Sequence, residues 1–267
     1  MRHGFVYLGL LAAVSACSSS GGGTEIRRSV TADTGQTGPA PVTVTEETGT
    51  DRLLVQTDGV LFEFSEVAAY NNGTFVAARN PTAREMAVFE SESDASSVVL
   101  FRPNPAPGNA PSITYSRLGM TDIPAAGSAT LTGDYQAFFQ SGTLAPLSYL
   151  ASGDAAMVVN FTDESVAGSI TNRQLRDLSD NSVLPTGGLA DLTLDMATLD
   201  DAGGFSGTTT GGALTLPGFP DPAFEVLGTY SGLLAGETAD EAVAGVTLTH
   251  NFGFGGMTEY GAIAAGH

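Results

Sequence analysis

The sequence predicts an all-β fold, and three observations carry that prediction. Apolar and polar residues alternate in step with a strand: in Asp191-Leu192-Thr193-Leu194-Asp195-Met196 the acids and threonine share one face, while Leu192, Leu194 and Met196 share the other. Met157, Val159 and Phe161 share a face in the same way, as do Val166, Gly168 and Ile170. Turn signals cut the chain into short runs, among them Asn71-Asn72-Gly73, Asn80-Pro81 and Pro103-Asn104-Pro105. Glycine also recurs two residues from a large apolar side chain, in Gly133/Tyr135, Gly168/Ile170, Phe205/Gly207 and Tyr230/Gly232. A strand glycine marks a bend or a close approach. A ring beside it fills the gap, and repeated glycine bends let a sheet close on itself. Seven or eight such strands suit a closed antiparallel barrel. A β-sandwich produces a similar pattern, so these observations leave barrel and sandwich open.

Taken in order, the chain starts with Met1-Arg2-His3, an apolar run over 4–14, and then small residues. That is the layout of a secretory signal peptide. An apolar run of about eleven residues is too short to span a bilayer, which takes roughly twenty. The run ends in Val14-Ser15-Ala16-Cys17, which resembles the bacterial lipobox and holds the only cysteine. Residues 1–16 are therefore expected to be a cleaved signal peptide, with Cys17 the diacylated first residue of the mature chain. Each buried methylene of an acyl chain contributes about 0.8 kcal/mol, so two or three chains hold a protein on a membrane. Beyond Cys17 lies Ser18-Ser19-Ser20-Gly21-Gly22-Gly23, and no apolar periodicity follows before residue 50. Residues 17–50 thus read as a flexible tether with an end-to-end distance of roughly 30 Å. Residue 18 is serine where an aspartate would resemble the enteric signal for inner-membrane retention, which favours the outer membrane.

Residues 51–122 form a small β-rich block. Its runs are Leu53-Leu54-Val55, Val60-Leu61-Phe62-Glu63-Phe64, Gly73-Thr74-Phe75-Val76-Ala77 and Ser97-Val98-Val99-Leu100-Phe101. Residues 82–89 read as a short helix, because Thr82 can cap with Glu85 three residues on. A proline-rich loop over 103–111 precedes a strand over 112–118, and a block boundary falls near Asp122. The second block, 123–267, is more regular and carries the alternating strands. Phe161 and Val166 are joined there by Thr162-Asp163-Glu164-Ser165, a polar hairpin connection.

Composition excludes several chemistries. Among 267 residues there are 34 glycines, 13 prolines and no tryptophan or lysine. Without lysine there is no Schiff base and no phosphate-loop lysine. His3 falls in the signal and His267 is the last residue, so His250 is the one internal histidine. That is a poor inventory for a hydrolase triad or a zinc site. Net charge is −19, and residues 123–267 set Arg173 and Arg176 against sixteen carboxylates. Such a surface repels phosphate backbones, which makes a nucleic-acid partner untenable.

A resemblance to a known family rests on four stretches. Ser112-Ile113-Thr114-Tyr115-Ser116-Arg117-Leu118-Gly119, followed by Gly127-Ser128-Ala129-Thr130-Leu131-Thr132-Gly133-Asp134-Tyr135, resembles the start of the barrel in the transferrin-binding protein B family. Val159-Asn160-Phe161-Thr162-Asp163-Glu164-Ser165-Val166-Ala167-Gly168-Ser169-Ile170 is similar to it as well. The most specific stretch is Gly228-Thr229-Tyr230-Ser231-Gly232, continuing through Gly236-Glu237-Thr238-Ala239-Asp240-Glu241-Ala242-Val243-Ala244-Gly245. This resemblance implies an eight-stranded antiparallel barrel preceded by a small β "handle", on a surface-exposed lipoprotein of a Gram-negative bacterium. It implies partners among host iron carriers, haem carriers or complement regulators. Two departures stand out. The chain has one handle-and-barrel unit where the transferrin binders have two lobes, and Leu234-Ala235-Gly236-Glu237 replaces the usual aromatic-Tyr-Gly-Pro segment. No ligand-contacting residue carries over.

Individual candidates reduce to bland roles. By period-two counting His250 lies on the face of Val246 and Leu248, which favours a core or barrel-mouth histidine over a haem ligand. Glu237, Asp240 and Glu241 read as a solvated turn rather than a calcium loop. Asp200-Asp201-Ala202-Gly203-Gly204 reads as a plain turn. No catalytic, cofactor or metal residue is assigned and no enzyme activity is expected; Cys17 is the one site residue. The expected function is a monomeric, non-enzymatic binding module for an external protein or an iron or haem carrier. It would be lipid-anchored at the outer membrane with loops 103–111 and 143–153 as contact regions. The alternatives are an envelope-interaction lipoprotein facing the periplasm and a lipocalin-like carrier using the barrel interior.

Overall fold

The computed structural model describes residues 26–38, 41–46, 52–82, 86–103, 110–141, 149–185, 188–216, 225–252 and 255–266. The expected signal peptide, Cys17 and the Ser/Gly-rich stretch after it lie outside these. The first strands in chain order are β1 (Ile26–Val30), β2 (Asp33–Thr37), β3 (Val42–Glu46), β4 (Arg52–Thr57) and β5 (Val60–Glu66). After a single 3-10 turn, Ala68–Tyr70, come β6 (Val76–Arg79), β7 (Ala87–Glu92), β8 (Ser96–Arg102), β9 (Ser112–Arg117) and β10 (Thr121–Pro124). The second half holds β11 (Ser128–Ser141), β12 (Tyr149–Asn160), β13 (Ser165–Asp177), β14 (Gly188–Leu189) and β15 (Leu192–Thr198). It ends with β16 (Gly204–Gly211), β17 (Leu214–Thr215), β18 (Glu225–Ala235), β19 (Glu241–Phe252) and β20 (Gly255–Ala265).

Eight of these strands close an antiparallel barrel in the order β11-β12-β13-β15-β16-β18-β19-β20. Closure is direct, since Tyr135 of β11 faces Gly153 of β12 on one side and Ile263 of β20 on the other. Barrel, not sandwich, is the outcome, and alternation places Leu131, Met157, Val159, Val166, Ile170, Leu192, Leu194, Val246, Leu248 and Ile263 in its lumen. The rings do sit over glycines, but across strands rather than along them. Gly207 pairs with Tyr230 and Phe205 with Gly232. A Cβ on Gly207 would come 2.8 Å from the Tyr230 ring, so only glycine admits the ring there.

The other large sheet has eight strands in the order β2-β9-β8-β7-β6-β5-β4-β3. It curls around an apolar core that includes Leu53, Val55, Phe64, Val88, Val99 and Phe101. The Val42 N–H reaches Thr114 Oγ1 at 2.8 Å, which brings β3 back beside β9. The opposite face of this handle presents Ala77, Phe89, Val98, Leu100 and Ile113 to the barrel's Phe138, Leu150, Leu233, Val243 and Ala264.

Four expectations are corrected. Part of the supposed tether is folded: β1 pairs with β10, β2 with β9 and β3 with β4. Val42-Thr43-Val44-Thr45 of β3 alternates, places Val42 in the handle core and pairs with the next strand along the chain. Strands β1 and β2, by contrast, are polar and mostly exposed, carry no apolar period and are held by partners distant in sequence. Arg27, for instance, binds Glu164 at 2.6 Å and donates to the Asp200 carbonyl at 3.1 Å. The helix expected over 82–89 is absent from its described part, since Ala87–Glu92 is strand β7. Met86 and Val88 fill the handle core while Ala87 and Phe89 face the barrel, so both faces are buried and the strand period is erased. Thr82 gives its N–H and hydroxyl to Asn80 Oδ1 instead of capping. The boundary residue Asp122 lies within β10, paired with Ser29, and the barrel begins at Ser128. Met196 leaves the face of Leu192 and Leu194, because the β13–β15 register slips by one residue between Val166/Ala197 and Gly168/Leu194. Ala197 takes the inward place, and Met196 is 78 % exposed.

The two ends of the barrel differ. At the near end the strands are joined by 161–164, 199–203 and 236–240, beside the β1–β10 ribbon, where the Asp122 N–H meets the Glu237 carbonyl at 3.0 Å. At the far end the connections are 142–148, 178–191, 212–224 and 253–254.

Candidate functional site

Four side chains from different strands meet inside the barrel: Tyr135, Arg173, His250 and Glu259. Pairing explains the meeting. His250 lies opposite Met257, so Glu259, two residues on, shares its face on the next strand. Tyr135 enters from β11 over Gly261, where a Cβ would lie 2.2 Å from its hydroxyl. Arg173 is turned inward by a bulge. Between Ser152/Gln174 and Asp154/Thr171 the β13 side carries one extra residue, Asn172, at φ 52°. The Asn172 amide donates to Asp154 Oδ2 at 2.6 Å outside the barrel, which holds the bulge.

Glu259 is the centre of the network. Its Oε1 accepts the Tyr135 hydroxyl at 2.6 Å and the Arg173 guanidinium, and its Oε2 meets His250 Nε2 at 2.9 Å. A carboxylate cannot donate, so His250 Nε2 carries the hydrogen. Arg173 and Glu259 side chains are both fully buried. Burial pushes the Glu259 carboxyl up, but the Arg173 charge and the His250 hydrogen bond outweigh it and hold it at about 2. Burial, reinforced by the Glu259 charge, pushes the Tyr135 hydroxyl well up. For Arg173 the loss of solvent acts downward, and the Glu259 charge overrides it and raises the group. An ion pair in such surroundings survives only with its remaining hydrogen bonds made.

Arg173 makes two such bonds toward the far end, while its Nε and the His250 Nδ1 find no partner among the described residues. The Arg173 Nη1 donates to the carbonyls of Ala190, at 2.9 Å, and Gly212, at 3.3 Å. These residues flank the β14–β17 ribbon, in which Gly188 pairs with Thr215 and Leu189 with Leu214. Leu214 and Leu216 are buried against the lumen core, with Leu184 and Leu189 packed on it. The network therefore joins the barrel wall to the strap across its far end.

Handle and barrel are clamped by separate contacts. Arg117, 1 % exposed, donates Nε to the Thr31 carbonyl at 3.1 Å and Nη1 to the Ala202 and Leu234 carbonyls at 3.0 Å each. The Thr74 N–H meets Asp134 Oδ2 at 2.8 Å, and the Tyr115 and Ser231 hydroxyls share a 2.8 Å hydrogen bond. Beside the last pair, a surface cleft of about 310 Å³ is lined by Thr37, Ser206, Thr229, Ser231 and glycines 207 and 245, with Tyr230 beneath.

His250 is buried in the lumen, its ring 6.0 Å from that of Phe139. Glu237 and Asp240 are exposed in a near-end turn, but Glu241 is not solvated as the sequence reading had it. It accepts the Ser93 and Ser96 hydroxyls of the handle at 2.6 and 2.7 Å. Asp200 closes its turn through the Ala202 and Gly204 N–H groups, both at 2.8 Å. Of the expected contact loops, 104–109 and 143–148 lie outside the described residues, and 149–153 belong to β12. Sequence reasoning missed Tyr135, Arg173 and Glu259 as a group. A glutamate in phase with Met257, Gly261 and Ile263 was the available signal for Glu259. Arg173 had none, since counting from Ile170 turns it outward. Among the described residues no three of His, Cys, Asp and Glu gather as a metal group, and no helix is long and apolar enough to cross a membrane.

No family model matches the chain, and no curated protein matches it. Among solved structures it is similar to a variant of transferrin-binding protein B from Haemophilus parasuis. The identity is 13 %, with 88 % of this chain and 45 % of that one covered, at a TM-score of 0.46. For the isotype 1 transferrin-binding protein B of serogroup B Neisseria meningitidis the values are 15 %, 88 %, 43 % and 0.40. A DUF3598-family protein from Nostoc punctiforme gives 9 %, 89 %, 95 % and 0.27. The chain spans less than half the length of the two transferrin-binding protein B chains. Its own strand pairing defines the class: a closed eight-stranded barrel carrying a curled handle sheet.

Proposed function

We propose that this chain is an outer-membrane lipoprotein, anchored through Cys17, whose handle and barrel form a non-enzymatic binding module for an external protein or an iron or haem carrier. The observation that carries the reading is the polarity of the barrel. The described residues start at Ile26, and their first strand lies against the near end. The stretch from Cys17 to Ile26, fully extended, reaches at most about 30 Å, so an anchor at Cys17 keeps the near end by the membrane. The far end of the barrel, with the described connection residues 178–185, 188–191 and 212–216, then faces away from it. Loops on a rigid scaffold are where recognition residues commonly sit. The lumen is filled by packed side chains, from Phe205 and Tyr230 to the Glu259 network, which counts against a lipocalin-like carrier.

Protease treatment of intact cells tests the reading, followed by blotting beside a Cys17→Ala variant and a periplasmic control protein. Surface display requires the wild-type signal to vanish while the control survives, and the variant to lose its membrane association. Complete protection of the wild-type protein would remove the surface reading and leave the periplasm-facing alternative.

A further inference from the structure

The β14–β17 ribbon is two residue pairs long, and a two-stranded ribbon is marginal in water by itself. Three things hold it in place. Leu214 and Leu216 pack on the lumen core, and two backbone bonds brace its flank, from the Ala190 N–H to the Ala213 carbonyl at 2.9 Å and from the Gly212 N–H to the Asp191 carbonyl at 2.8 Å. Arg173 binds from below, taking the Ala190 and Gly212 carbonyls with one nitrogen and Glu259 with another. Local sequence is shaped to this bond. Gly212 sits at φ +76°, and a Cβ there would come 3.2 Å from Arg173 Nη1 and 2.8 Å from Leu192. Only a planar fork of donors reaches both carbonyls and the carboxylate together, which a lysine ammonium cannot do.

We propose that Arg173 is the positioning residue of the far end: it locks residues 188–191 and 212–216, with 178–185 beside them, into one preformed surface over the barrel. This deepens the binding-module reading and rests on it for its purpose, because a surface ordered before contact saves the entropy of ordering loops on binding. Leu214 and Leu216 are buried beneath it on the lumen core, so the surface lies over packed side chains and suits docking by a folded protein.

The test is amide hydrogen exchange on the full-length lipoprotein in detergent, comparing wild type with Arg173→Lys and Gly212→Ala. Lysine keeps a positive charge for Glu259 and loses the carbonyl clasp. The expected result for Arg173→Lys is exchange about tenfold faster at Ala190 and Gly212, the loss of about one charge-assisted hydrogen bond. Strands β7 to β9 and the near-end halves of the barrel strands should keep their rates. Gly212→Ala should loosen the same amides with Arg173 intact. Unchanged rates at Ala190 and Gly212 in Arg173→Lys would overturn the proposal, and so would equal acceleration throughout the barrel. No partner is needed for this measurement, so its failure is distinct from failure of the surface-display reading, which the protease experiment reports.

Discussion

The handle and the barrel solve the same packing problem in opposite ways. The handle's eight strands curl around an apolar core, with Leu53, Val55, Phe64, Val88, Val99 and Phe101 in contact. The barrel closes fully and places a carboxylate, a guanidinium, an imidazole and a phenol inside. A closed wall needs no edge protection, so the barrel can use its lumen to fix what lies across its mouth. In the handle, β2 and β3 are brought together only by curling, and its stability rests on packing against itself and the barrel. The difference teaches that handle stability is a matter of cavity and volume, whereas barrel stability depends on the pairing of a buried charge set.

Breaking the charge set should have the largest effect. Glu259→Ala strips the acceptor from three donors and leaves Arg173 buried and unpaired, which should cost about 3–5 kcal/mol. Urea unfolding measures this loss, and a cost under about 1 kcal/mol would mean that the network is incidental. The same group sets an acid dependence. The Glu259 carboxyl sits at about 2 in the fold, against about 4.3 in an unfolded chain. A depressed carboxyl contributes stability that is complete above the unfolded value and is lost as pH falls through the folded one. Stability should therefore drop between about pH 4 and pH 2, and Glu259→Gln should flatten that slope. An equally steep slope in the variant would assign the effect to other acids.

In the handle the expected lever is volume. Leu53→Ala should cost about 2–3 kcal/mol by leaving a cavity, and the loss should be insensitive to pH over the window where the barrel responds. The smallest effect belongs to the junction. Glu241→Gln removes the charge that receives Ser93 and Ser96, and should cost about 1 kcal/mol. Faster exchange confined to the turn 93–95 and the near-end start of β19 would locate that loss at the clamp.

How much was legible in the sequence follows from the same contrast. Barrel strands with a packed inner face and a wetter outer face alternate visibly, as at Met157 and Val159 or Leu192 and Leu194. Strand β7 is covered on both sides, by the handle core and by the barrel, so 82–89 resembled a capped helix. Strands β1 and β2 bury little, and their partners are remote in sequence, which is why 26–37 looked like tether. Strand β3 pairs with its neighbour β4 and alternates over Val42-Thr43-Val44-Thr45, a short signal that was there to be read. Within the site, His250 and Glu259 were in phase with their neighbours, while the Asn172 bulge reversed the phase of Arg173. A one-residue bulge changes the facing of every later side chain and leaves almost no mark in composition.

The central claim is that the far end of the barrel faces outward from an anchored near end. The most direct measurement introduces a thiol there by Val183→Cys, at a side chain that is 51 % exposed, in a protein whose own cysteine is expected to be acylated. Intact and permeabilised cells are then treated with a membrane-impermeant maleimide. The account expects equal labelling of the two samples. Labelling only after permeabilisation would contradict it and place the far end inside the envelope.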